Sequence, residues 1–204
     1  MKKKPLYRFG QTVLRPVFKL LYRYQIIGLE HIPADGPVVI CSNHTAYKDP
    51  ILLGLTTKRQ VWFMAKKELF KNKFLAFLLN RLGVFAVERS VGISAILRGI
   101  DLLREGAAVG IFIEGTRSKT GELLKPKPGA VLLAFETKAP VVPVAIVGKD
   151  GRQPRIFSRT VIRIGERIPF EDLGVQENSP MEMRRAARLI MERIKGLRDK
   201  TLGQ

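Results

Sequence analysis

The stretch Val38-Val39-Ile40-Cys41-Ser42-Asn43-His44-Thr45-Ala46-Tyr47-Lys48-Asp49-Pro50-Ile51-Leu52-Leu53 reads as a strand, a turn and a helix. Val38 to Cys41 is an apolar run of β type. Asp49-Pro50 is a strong helix opening, with Asp as N-cap and Pro at the first helical position. His44 and Asp49 are five residues apart, and five steps of 100° leave them well separated on any one helix. Their side chains can meet only across a turn between a strand end and a helix start. His44 then sits at the C-terminal mouth of a strand, where α/β proteins place their chemistry, with Asp49 near enough to orient the imidazole. Taken alone, these residues also fit a plain turn, with Asp49 only a cap.

Outward from this unit the pattern alternates. Strand-like runs fall at 38–42, 61–65, 84–87, 108–113, 141–147 and 160–168. Helical patterns fall at 50–57, 67–82, 92–105, 129–138 and 179–198. That order predicts an α/β fold, a mostly parallel β-sheet flanked by helices on both faces. Ser179, Pro180 and Glu182 predict a capping box at the last helix. Residues 5–24 read as an amphipathic helix, bent at Pro16, with Leu6, Phe9, Val13, Val17, Leu20, Leu21 and Tyr24 opposite Arg8, Arg15, Lys19 and Arg23. Through Gln25 there are seven basic residues and no acidic one. This is the pattern of a helix lying on a membrane surface, and equally of one packed on its own domain with a solvated charged face. The expected division is 1–27 as an N-terminal amphipathic membrane-associating helix and 28–204 as the domain that carries the chemistry.

Composition narrows the function. In 204 residues, 36 Lys+Arg against 18 Asp+Glu leave +18, which implies a polyanionic partner: nucleic acid, an anionic membrane surface or a phosphorylated substrate. The single cysteine, Cys41, rules out an internal disulfide and suits a reducing compartment. Two histidines and one cysteine, without ligand spacing, argue against a metal site. No apolar run of about 18 residues is present, so no transmembrane helix is expected. Nucleotide-binding glycine loops, recognition helices, RNP motifs and zinc fingers are also missing.

A second constellation ends the run 108–113: Phe112-Ile113-Glu114-Gly115-Thr116-Arg117-Ser118. Gly115 allows close approach of a ligand to the backbone, and Arg117 offers a planar fork suited to phosphate. A surface turn with an exposed arginine fits those residues as well. Lys127 lies just before the helix 129–138, where backbone N–H groups favour an anion. Segment 66–82, apolar and basic, is a second candidate for membrane contact or an acyl channel, beside ordinary core packing.

Together, His44-x4-Asp49 and Glu114-Gly-Thr-Arg-Ser resemble the glycerolipid acyltransferase family that acylates lysophosphatidic acid. The likeness runs from about Gly28 to Pro169, and the two motifs stand about seventy residues apart. It implies catalytic roles for His44 and Asp49 and a substrate-binding loop at Glu114, Gly115 and Thr116. It also implies a phosphate site built from Arg117, with Arg89 of Glu88-Arg89-Ser90, Lys66 of Lys66-Lys67-Glu68-Leu69, and Lys127. Glu88 stands where the family more often has Asp, and Pro126 replaces an aromatic residue.

The expected reaction moves a fatty acyl group from acyl-CoA or acyl-ACP, as co-substrate, to 1-acylglycerol 3-phosphate, giving phosphatidic acid, with no cofactor and no metal. His44 would be the general base and Asp49 its orienting partner. Glycerol 3-phosphate or another lysolipid is the alternative acceptor. A non-catalytic basic nucleic-acid- or membrane-binding protein is the rival from another class, although no nucleic-acid partner is expected. The expected place is the cytoplasmic face of an anionic membrane, as a peripheral protein.

Overall fold

The computed structural model describes residues 5–57, 59–81, 83–87 and 92–204. Among these residues seven strands, β1 (Tyr24–Ile27), β2 (Val38–Ser42), β3 (Val61–Lys66), β4 (Val84–Val87), β5 (Ala108–Phe112), β6 (Val141–Gly148) and β7 (Thr160–Ile164), form one sheet in the order β1-β7-β6-β2-β5-β3-β4. The helices are α1 (Pro5–Tyr22), α2 (Asp49–Thr56), α3 (Lys73–Arg81), α4 (Gly92–Arg104), α5 (Gly129–Thr137) and α6 (Pro180–Leu202). Every pairing between these strands is parallel except β6 with β7. The expected α/β architecture with a mostly parallel sheet is the one observed.

The pleat sorts the strand residues between two cores, because successive side chains point to opposite faces. On β2, Val39 and Cys41 join α4, α5 and α6 through Ile100, Leu133 and Ile190. Val38 and Ile40 face the other way, with Leu52 and Leu53 of α2 and Tyr22 of α1. β6 divides in the same manner, Val141 and Ala145 to one side and Val142 and Val144 to the other.

Three sequence expectations need correction. The N-terminal helix stops at Tyr22, and Tyr24–Ile27 pair with β7 as an edge strand, so the sheet begins inside the segment 1–27. The helical pattern at 67–82 breaks into a 3-10 turn at Lys67–Phe70 followed by α3. The capping box at α6 is half made: Ser179 accepts from the Glu182 N–H, but the Glu182 carboxylate takes the N–H groups of Gln176 and Glu177 instead.

α1 is lashed to the body. The Tyr7 hydroxyl donates to the Gly54 carbonyl at 2.9 Å, and the Gln11 amide donates to Gly54 and Thr57 at 2.9 and 2.8 Å. Tyr7 and Tyr22 are buried, whereas Phe9, Val13, Val17 and Leu20 are exposed on the outer side. The apolar residues expected on one face thus divide, and an outward apolar stripe remains exposed among the described residues. No helix among the described residues is long and apolar enough to cross a membrane.

Candidate active site

The loop after β2 folds back on Asp49. This residue is wholly buried and is the first residue of α2 rather than its N-cap, a position held by Lys48. Its side chain turns away from the helix. Oδ2 accepts the Thr45 and Ala46 N–H groups at 2.7 Å each and the His44 ring Nδ1 at 2.9 Å. A carboxylate can only accept, so this bond assigns the ring proton to Nδ1 and leaves Nε2 as the acceptor. The strand–turn–helix geometry read from the sequence is therefore observed, with Asp49 organising the turn instead of capping the helix.

His44 is fixed from two further directions. Its backbone N–H donates to Glu114 Oε1 at 3.0 Å, and its carbonyl accepts from the Ser118 N–H at 2.8 Å. These bonds stitch the loop after β2 to the loop after β5. Its ring lies on Phe112, with centroids 3.9 Å apart and planes 16° from parallel, and Phe112 is stacked in turn on Phe63. The imidazole side chain keeps 16% exposure, enough to meet a substrate from one side only.

Glu114 is almost fully buried and clamps two loops, since Oε2 also accepts from the Leu124 N–H at 3.3 Å. Burial raises its carboxyl above the ordinary range, and the bonds from His44 and Leu124 pull the other way. Gly115 and Thr116 are exposed beside it, and Gly115 has φ 65°.

The cations expected at this rim are only partly brought together. Lys127 reaches it: its N–H donates to the Ile113 carbonyl at 2.8 Å, and its side chain passes over Gly115. The Arg117 guanidinium lies 3.4 Å from the centre of the Tyr47 ring, between the two loops. Lys66 occupies the C-terminal end of β3, at the same rim. Arg89 lies outside the described residues. The other histidine, His31, is at the opposite end of the sheet, bonded to the Ile164 carbonyl at 3.0 Å and lining a cleft of about 670 Å³ there.

Residues 23–147 match the family model for acyltransferases. The chain belongs to the acyltransferase family. Among acyltransferases it is 36% identical over 200 residues to the 1-acyl-sn-glycerol-3-phosphate acyltransferase of Bacillus subtilis (strain 168), covering 96% of this chain and 98% of that protein. It is 32% identical over 133 residues to the 1-acyl-sn-glycerol-3-phosphate acyltransferase beta of Homo sapiens, covering 62% of this chain and 48% of that one. The crystal structure of the 1-acyl-sn-glycerophosphate (LPA) acyltransferase PlsC from Thermotoga maritima shares the fold, with a TM-score of 0.79 at 24% identity over 99% of this chain and 82% of that chain.

Three residues that frame the candidate site escaped the sequence reading. Asn43 extends β2 with its side chain, donating to the Ile146 carbonyl at 3.0 Å and accepting the Ile146 N–H at 2.8 Å. Phe112 supports the histidine ring, and Tyr47 supports Arg117. Asn43 carries no local signal, because its partner is 103 residues away. An aromatic at a strand end, one residue inside the second motif's apolar run, was the available clue for Phe112.

Proposed function

We propose that this protein transfers a fatty acyl group from acyl-CoA or acyl-ACP to the free hydroxyl of 1-acylglycerol 3-phosphate, giving phosphatidic acid. The observation that carries this reading is the bond of 2.9 Å between His44 Nδ1 and the wholly buried Asp49. It leaves Nε2 as a base at a rim that also holds Lys127 and Arg117. The names of the Bacillus and human relatives support the choice of acceptor.

In this mechanism Nε2 takes the proton of the acceptor hydroxyl as its oxygen attacks the thioester carbonyl carbon. The tetrahedral intermediate collapses, the C–S bond breaks, and the imidazolium returns its proton to the leaving thiolate. Asp49 holds the ring and steadies the imidazolium, and such base assistance is worth ~10²–10⁴-fold. Arg117 and Lys127, with Lys66 and Arg89, hold the acceptor phosphate, and the Glu114-Gly115-Thr116 loop shapes its seat. No acyl-enzyme is required. Cys41 is buried in the core, where burial pushes its thiol pKa up, away from the nucleophilic thiolate.

The acceptor and product are lipids, so α1 serves as the membrane-associating element and residues 28–204 carry the transfer. The outward Phe9, Val13, Val17 and Leu20 enter the cytoplasmic surface of an anionic bilayer while Arg8, Arg15 and Lys19 meet its headgroups, about 1 kcal/mol for each basic residue near the surface. The test is purified protein with radiolabelled acyl-CoA or acyl-ACP and a panel of acceptors. Phosphatidate formed from lysophosphatidate is expected. Product from glycerol 3-phosphate alone, or none from any acceptor, would overturn the reading.

A further inference from the structure

The connection from β6 to β7 ends in a turn whose residues run against ordinary turn chemistry. The Ser158 N–H donates to the Arg155 carbonyl at 3.2 Å, which places Ile156 and Phe157 at the centre of the turn. Such positions ordinarily take Pro, Gly, Asn, Asp or Ser. Phe157 has φ 61°, a left-handed backbone that bulky residues rarely adopt. Both side chains nonetheless face solvent, Ile156 at 52% and Phe157 at 72% exposure. Arg152, Arg155 and Arg159, within four residues of Ile156 in the chain, are exposed as well, with Arg159 donating to the Gln25 side chain at 3.2 Å. Backbone strain that displays apolar groups to water does nothing for the folded chain alone, and strain of this kind gathers at functional sites.

The tip sits at the reactive rim. β6 runs antiparallel to β7, and β1 runs parallel to β7. The C-terminal end of β6 and the N-terminal ends of β7 and β1 therefore share the sheet edge from which the His44 loop emerges. The Phe157 N–H donates to the Leu21 carbonyl in the last turn of α1. There Leu20 is exposed, and Tyr22 lies under the Lys48 ammonium of the His44 loop at 5.2 Å.

We propose that Ile156 and Phe157 form a second membrane-insertion point. Their side chains enter the boundary between headgroups and acyl chains of an anionic bilayer, and Arg152, Arg155 and Arg159 rest on the lipid phosphates. Exposed apolar groups flanked in the chain by exposed arginines match such a surface, because the apolar groups can be desolvated while the guanidinium groups stay with anions. The inference rests on the reading that the enzyme meets its acceptor at a bilayer, but not on α1 being the anchor. With α1 it gives two contacts flanking the mouth of the site.

The test compares sedimentation on phosphatidylglycerol vesicles of the wild type, an Ile156→Ser/Phe157→Gly variant and a Phe9→Ser/Leu20→Ser variant. Glycine adopts the left-handed backbone without strain, so the turn variant should melt no lower than the wild type and keep its activity on detergent-dispersed acceptor. Its vesicle partition should nevertheless fall about tenfold or more, the scale for losing part of two large apolar side chains. Unchanged partition of the turn variant, with weakened binding of the α1 variant, would overturn the insertion point and leave the membrane reading standing. A wild type that binds no vesicle would overturn both. Selective loss of transfer from acyl-ACP with unchanged vesicle binding would assign the tip to a protein donor and overturn the proposal. As a second measurement, Phe157→Trp in a Trp62→Phe background should be quenched by bromine-labelled lipid, and an unquenched tryptophan would overturn it as well.

Discussion

Lys127 lies across Gly115. A Cβ placed on Gly115 would fall 2.7 Å from Lys127 Cδ and 3.1 Å from Nζ. The Lys127 backbone is held by its bond to Ile113, so the flexible end of the side chain must give way. Gly115→Ala is therefore expected to push the ammonium out of the rim, besides straining a φ of 65° by roughly 1–2 kcal/mol. The acceptor KM should rise while kcat changes less, and Lys127→Met should reproduce the KM effect without the loss of thermal stability. An unchanged acceptor KM in both variants removes Lys127 from the phosphate site.

For the base, His44→Ala should abolish nearly all transfer. Retention of more than about a tenth of wild-type activity would exclude general-base catalysis at its ~10²-fold minimum. Asp49→Asn should lose less, since its amide oxygen can still accept from Thr45 and Ala46. It should also lower thermal stability, because three donors now converge on a neutral oxygen. His31→Ala, at the far end of the sheet, should leave kcat intact.

Arg117 has two partners to serve, the Tyr47 ring and a phosphate. Arg117→Lys keeps the charge and loses the fork, so the acceptor KM should rise clearly while the donor KM stays put. Arg117→Ala should cost on the order of 1.5–3 kcal/mol in transition-state binding, as for a lost charged hydrogen bond. Tyr47→Ala leaves the guanidinium unsupported, and about 0.5–1 kcal/mol is expected for an exposed pair. Steady-state kinetics with varied acceptor would show whether the order Arg117→Ala, Arg117→Lys, Tyr47→Ala holds.

Glu114 gives the protein a pH signature. Its folded pKa is raised, chiefly by burial. The folded state therefore binds this proton more readily than the unfolded chain, and holding the anion costs stability at neutral pH. That cost vanishes as pH falls below the unfolded value near ~4.3, and it is fully present above the raised folded pKa. The Tm difference between wild type and Glu114→Gln should accordingly move in favour of the wild type as pH falls. A difference independent of pH would contradict it. At neutral pH the variant should also lose activity, because an amide oxygen can accept from only one of His44 and Leu124 without presenting NH₂ to the other.

Much of this was legible in the chain. β2, its turn and α2 were written in a β-type run followed by Asp-Pro, and the two motifs marked two neighbouring strand ends. β1 was hidden because Tyr24 and the residues after it continue the apolar rhythm of α1, so only pairing with β7 separates them. The reversal of β7 was equally silent, since an apolar strand looks alike in either direction. What the sequence could not display were bonds from side chain to backbone over long separations, such as Asn43 to Ile146 and Glu114 to His44. Such bonds depend on which strands become neighbours, and residue type alone does not specify that.

Three consecutive amides in the His44 loop, those of His44, Thr45 and Ala46, each donate to a carboxylate. A segment bonded in this way is assembled before any substrate arrives. The entropy of ordering it is lost once, when the chain folds, and not again in every catalytic cycle. Those amides should exchange with deuterium on the timescale of the sheet rather than of the surface, marking a loop by position that behaves as core.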